Sequence, residues 1–140
     1  RGHIAFYFPG EAKLFCGDAL FALGCGRIFE GTPEQMWKSL QKLQDLPDDT
    51  KVYCAHEYTL ANANFAVTVE PQNEVLSKRV QEIKNLRDKG KPTVPSTIGL
   101  EKSTNPFLRP MSRDIQANLN MLDAELVDVF AETRRRKDNF

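Results

Sequence analysis

The run Lys51-Val52-Tyr53-Cys54-Ala55, followed by His56-Glu57-Tyr58-Thr59-Leu60-Ala61-Asn62-Ala63, is where the pattern of this chain changes from strand to helix. A short stretch of β-branched and aromatic residues ends on a polar group, His56. Thr59 is then placed to cap a helix through the Ala-rich segment to about Val69, stopped by Pro71. Working toward the N-terminus, His3 to Phe8, the turn Pro9-Gly10 and Lys13 to Cys16 predict a hairpin whose second strand runs into Gly17-Asp18. Two strands thus each deliver a polar side chain at their end, a common place for active-site groups.

Between these strands, Gly24-Cys25-Gly26 reads as a flexible loop, and Thr32-Pro33-Glu34-Gln35 carries complete helix-start chemistry. Met36, Leu40 and Leu43 follow at helical spacing with Trp37 adjoining, and they read as core on one helix face. Beyond Pro71, Val75, Leu76, Val80, Ile83 and Leu86 predict an amphipathic helix closed by Gly90. Pro92, Pro95 and Pro106 mark a long irregular stretch, and a last helix begins near Asp123, with Leu126, Val129 and Phe130 on one face. The order is strands, helix, strand, then helices only. That pattern predicts an α+β chain, with a partial α/β layer over residues 1–57 and an all-helical part over residues 58–140.

The chain has 140 residues, and its 41% hydrophobic content is that of an ordinary soluble globular domain rather than a disordered tail or a rod. Its apolar runs are a few residues long, so neither a membrane span nor a secretory leader is expected, and a cytoplasmic location is. Cys16, Cys25 and Cys54 form no CxxC pair, which suits free thiols in a reducing compartment. The 19 basic and 19 acidic residues cancel overall, yet residues 1–75 carry 6 basic and 10 acidic groups while residues 76–140 carry 13 and 9. Nucleic acid is an unlikely partner on this balance, because the one short basic cluster has no aromatic residues interleaved.

Asp18 and His56 are the sharpest chemical pair, since a carboxylate and an imidazole at two strand ends can converge on a cation such as zinc. A hydrolytic zinc centre needs three protein ligands, and spacing forces no third residue toward these two. From spacing alone, a turn-capping Asp and a His packed at a strand end is the readier interpretation. Cys25 is flanked by glycines, but no His lies at a spacing that implies a dyad, so loop geometry is its expected role. For Arg134 to Lys137, a cationic helix end complementing the macrodipole is the simplest role.

The runs Leu14-Phe15-Cys16-Gly17-Asp18-Ala19-Leu20-Phe21, Gly24-Cys25-Gly26-Arg27, Phe29-Glu30-Gly31-Thr32 and Tyr53-Cys54-Ala55-His56-Glu57-Tyr58-Thr59 change that weighting. With Glu70-Pro71, Pro92-Thr93-Val94-Pro95-Ser96-Thr97, Asn105-Pro106-Phe107 and the terminal Arg134, Lys137, Asp138 and Phe140, they resemble glyoxalase II. This is the hydroxyacylglutathione hydrolase branch of the metallo-β-lactamase superfamily, and the resemblance covers essentially the whole chain. It implies the C-terminal half of an αββα sandwich followed by an all-helical glutathione-binding domain. It further implies hydrolysis of an S-(2-hydroxyacyl)glutathione, S-D-lactoylglutathione, by a metal-bound hydroxide, as the last step of methylglyoxal detoxification. The implied cofactors are two divalent metals, zinc or alternatively iron or manganese. Asp18 matches the metal-bridging aspartate and His56 a metal-ligating histidine. Arg27, Phe29 and Tyr58 match positions near the glutathione peptide, with Phe29 standing where relatives commonly have Tyr. Arg134 and Lys137 match the basic pair near the glycine carboxylate, which accounts for the basic second half.

The family's Thr-His-x-His-x-Asp-His string lies upstream of the pattern with which this sequence begins, at Arg1, and is absent from it. His3 matches a non-ligating position and is not assigned to metal. The expectation is therefore the C-terminal half of a glyoxalase II that lacks activity alone and exposes apolar surface where the rest of the layer would pack. Its expected partners are a glutathione thioester and either the missing N-terminal half or a second copy of the chain. The alternative is a non-catalytic glutathione-binding or partner-binding module.

Overall fold

Alternation along three short strands builds the sheet. The computed structural model describes residues 4–140. Phe6–Phe8 (β1) and Lys13–Gly17 (β2) pair antiparallel as the expected hairpin, joined by a short 3-10 turn, Pro9–Glu11. His3, the expected start of the first strand, lies outside the described residues. Two further strands, Leu20–Phe21 (β3) and Gly24–Cys25 (β4), form a separate antiparallel pair. Helix Pro33–Gln44 (α1) follows, with the capping box of Thr32 and Gln35 formed as read from the sequence. It crosses over to Lys51–Cys54 (β5), which lies parallel to β2, as a crossover connection requires.

Tyr7, Leu14 and Val52 stand opposite one another in the register and turn toward the interior. Phe6, Phe15 and Tyr53 occupy the opposite face, where Phe15 stacks on Tyr53 at 5.0 Å and meets Phe8 edge-on at 5.9 Å. That outer face is open: Phe6 and Phe15 are 59% and 42% exposed.

The rest of the chain is mostly helical, in Thr59–Val69 (α2), Glu74–Asp88 (α3), Ile98–Thr104 (α4), Arg113–Asn118 (α5) and Leu126–Asp138 (α6). Five local expectations need correction. The second part is not helices only, since Ser96–Thr97 (β6) pairs antiparallel with β5 as the edge strand. The Pro-rich stretch is not irregular throughout, because its prolines sit at boundaries while Thr97 and Ser112 cap α4 and α5. Gly24-Cys25 is strand rather than flexible loop. Thr59 is the first residue of α2 and not its cap, because its hydroxyl bonds to that of Thr93, 2.6 Å away. Val75 is exposed, so Leu76, Val80 and Ile83 carry the buried stripe of α3.

One core joins the sheet to the later helices: Leu14, Cys16 and Val52 belong to the same buried cluster as Trp37, Phe107, Ile115 and Phe130. Trp37 of α1 meets Phe130 of α6 at 5.7 Å, and Phe107 lies between Phe65 and Phe130. A smaller cluster between α2 and α3 includes Leu23. No helix among the described residues is long and apolar enough to cross a membrane.

Candidate functional site

The ends of β2 and β5 are brought together by backbone geometry. The β2–β5 register slips between Phe15 and Gly17, and Gly17 takes a left-handed φ of 53°, a conformation that a Cβ disfavours. Its carbonyl accepts the Ala55 N–H at 3.0 Å. Asp18 and His56 leave the two strands on either side of this bond, with His56 Nε2 3.3 Å from Asp18 Oδ1. His56 stacks almost parallel on Tyr58, ring centroids 4.8 Å apart, and Phe21 tilts against both.

Asp18 and His56 form one end of a cleft of about 450 Å³. Arg27, Phe29, Tyr58, Arg134 and Lys137 also line it, so all seven residues singled out in the sequence converge on one cavity. Phe29 stands out at the rim, 83% exposed. Arg27 and Lys137 flank Asp138, whose Oδ1 lies 3.8 Å from Arg27 Nε. Burial first, and then the neighbouring Arg134 and Arg27, push the Lys137 ammonium below its ordinary pKa. An incoming carboxylate would relieve that strain on its charge.

Arg134 is built differently. It is buried, its Nη1 donates to the Cys25 carbonyl at 2.7 Å, and its Nε and Nη2 meet Asp138 at 3.0 and 2.8 Å. Its guanidinium also lies over the Phe107 ring at 4.9 Å. It is at once a wall of the cleft and the tie between α6 and β4.

The β3–β4 pair that carries Phe21 and Cys25 into the cleft is held from far along the chain. Asn105 donates to the carbonyls of Phe21 (3.2 Å) and Gly24 (3.0 Å), and the fully buried Glu101 accepts the N–H of Leu23 at 2.8 Å. Leu23 thereby keeps a left-handed φ of 60°. Gly24 faces Asn62, whose amide would lie 2.6 Å from a Cβ placed there. Asn62 in turn donates to the Ala22 carbonyl at 3.1 Å. Phe21 and Asn62 line the cleft and were not singled out in the sequence. The polar Asn62 within an Ala-rich helix is the one local signal that could have found the second.

The thiols are not poised for nucleophilic attack. Burial pushes Cys16 up to about 12 and Cys25 up to about 11, the latter despite the opposing charge of Arg134. Among the described residues, Asp18 Oδ1 is a buried acceptor that makes no hydrogen bond. Facing an imidazole nitrogen, it suits a borderline divalent cation. The donor set fits such a cation in part only, because among the described residues no group of three or more His, Cys, Asp or Glu is placed to hold a metal.

The sequence that builds this cleft has counterparts among known proteins. Residues 57–140 match the family described as hydroxyacylglutathione hydrolase C-terminus, and the chain belongs to that family. It is 60% identical over 139 residues to a hydroxyacylglutathione hydrolase of Methylococcus capsulatus, 55% to one of Rhizobium meliloti and 57% to one of Ruegeria pomeroyi. Each match covers 99% of this chain and 54% of the relative, so the chain spans about half the length of these curated relatives, as their C-terminal part.

Proposed function

We propose that this chain forms the glutathione-facing part of a hydroxyacylglutathione hydrolase, acting on the thioester of an S-(2-hydroxyacyl)glutathione such as S-D-lactoylglutathione. The observation that carries the reading is the convergence of Asp18, His56, Arg27, Phe29, Tyr58, Arg134 and Lys137 on one cleft of about 450 Å³. Arg27 and Lys137 hold the glycine carboxylate of glutathione by charge-assisted hydrogen bonds, and Arg134 adds positive charge from the wall behind them. Tyr58 presents its hydroxyl to the peptide, and Phe29 covers the rim.

Asp18 and His56 would hold a divalent metal, zinc foremost, with further ligands supplied from outside the described residues. When bound, such a metal supplies Lewis-acid activation of water and of the thioester carbonyl. The exposed aromatic face of Phe6, Phe8 and Phe15 is where the other half of an αββα sandwich packs. That placement gives the uncovered face an occupant.

The test is a pair of measurements on this chain, alone and joined to the preceding half of a full-length relative. Glutathione should bind to both, and lactoylglutathione should be hydrolysed rapidly only by the joined protein, with His56→Ala abolishing that activity. Absence of glutathione binding in both would overturn the reading. A second reading, a non-catalytic glutathione-binding module, is favoured by the two-donor metal set. It predicts binding without hydrolysis even in the joined protein.

A further inference from the structure

Between His56 and Tyr58, which both line the cleft, Glu57 points the other way. Both of its carboxylate oxygens are engaged by Thr93: the backbone N–H donates to Oε1 and the hydroxyl to Oε2, each at 2.6 Å. The Thr93 hydroxyl also lies 2.6 Å from that of Thr59, and its carbonyl accepts from Arg79 Nη2 at 3.4 Å. Arg87 of α3 stands 3.9 Å from Glu57 Oε1. One carboxylate therefore fastens the turn after β5 and the first residue of α2 to the loop that follows α3.

Local bonds do little to fix this turn. Tyr58, at the N-terminus of α2, makes no side-chain cap, and among the described residues the His56 carbonyl is met by the weak donor of the Cys54 thiol at 3.4 Å. Yet the turn holds two rings at a defined 4.8 Å stack and aims His56 Nε2 at Asp18. Such orientation needs a second set of contacts behind the residues that face the ligand.

We propose that Glu57 is a positioning residue: through its paired hydrogen bonds with Thr93 it sets the orientation of His56 and Tyr58 in the cleft. Its consequence for glutathione rests on the function proposed above, while its effect on the rings does not.

The experiment uses the 140-residue chain with Glu57→Ala, Thr93→Val and Thr93→Ser. The readouts are thermal stability, glutathione titration, and the ring-current displacement of the His56 ring protons, identified by their absence in His56→Ala. Glu57→Ala and Thr93→Val should lose most of the displacement and bind glutathione about tenfold more weakly. Thr93→Ser, which keeps the hydroxyl and the N–H, should restore both. If Glu57→Ala does not fold, Thr93→Val, which keeps the N–H bond, makes the same test. Unchanged ring shifts in a folded variant would overturn the proposal whatever happens to stability. If the unaltered chain fails to bind glutathione, the functional reading falls, and the ring shifts still decide whether Glu57 positions His56.

Discussion

Asp18 and Arg134 line the same cleft, but their hydrogen bonding is opposite. Among the described residues Asp18 Oδ1 is a buried acceptor with no hydrogen bond, only the ion-pair contact with His56 at 3.3 Å, whereas every nitrogen of the Arg134 guanidinium has a partner. The strand-end wall keeps a carboxylate oxygen that faces the His56 imidazole at 3.3 Å without a well-formed hydrogen bond, and burying such an atom carries a cost. The helical wall uses its buried charge for folding, and in the function proposed above Arg27 and Lys137 are the cations left for glutathione. Membership in one cleft thus does not give residues one role, and the two walls should separate stability from affinity when altered.

The largest effect is expected at Arg134. Arg134→Met keeps the volume but strands the Cys25 carbonyl and leaves Asp138 without its closest cation, so denaturant unfolding should register a loss of about 2–4 kcal/mol. A stable variant with only weakened glutathione binding would erase the contrast between the walls. Lys137→Gln should do the reverse, weakening glutathione about tenfold in calorimetric titration while unfolding stays within about 0.5 kcal/mol of the unaltered chain. If stability falls instead, Lys137 belongs with Arg134.

The smallest effect concerns the support behind the strand-end wall. Burial raises the Glu101 carboxyl above its ordinary value of 4.5, against the opposing bonds from Ser96, Leu23 and Asn105. The folded chain therefore holds that proton more tightly than the unfolded one. The resulting stabilisation is complete below the ordinary value and is lost as pH rises through the raised one. Melting curves of Glu101→Gln against the unaltered chain should shift in favour of the variant as the pH rises above the ordinary carboxyl value of 4.5. A difference independent of pH would mean that Glu101 titrates alike in both states.

Much of the fold was legible because it rests on local chemistry. The Thr32–Gln35 capping box, the Pro9-Gly10 hairpin turn and the apolar stripe of α3 are each set by residues within a few positions. β3, β4 and β6 were not legible, since two-residue strands have no periodicity to read and are held in place from far along the chain. Asn105 and Glu101 hold β3 and β4, and β5 holds β6. The site divided in the same way. Its residues were recognisable as a set by resemblance, but Arg134 could not be told from Lys137 until the Cys25 carbonyl was found behind one of them.

What the sequence determined by itself was the family, the two strand ends bearing Asp18 and His56, and the basic second half, because motif order and charge are properties of the chain. Only the tertiary structure decided which side chains are free to meet a ligand. Whether a charge is spent on folding depends on partners far away in sequence, such as Cys25 for Arg134 and Thr93 for Glu57, and only packing brings those together.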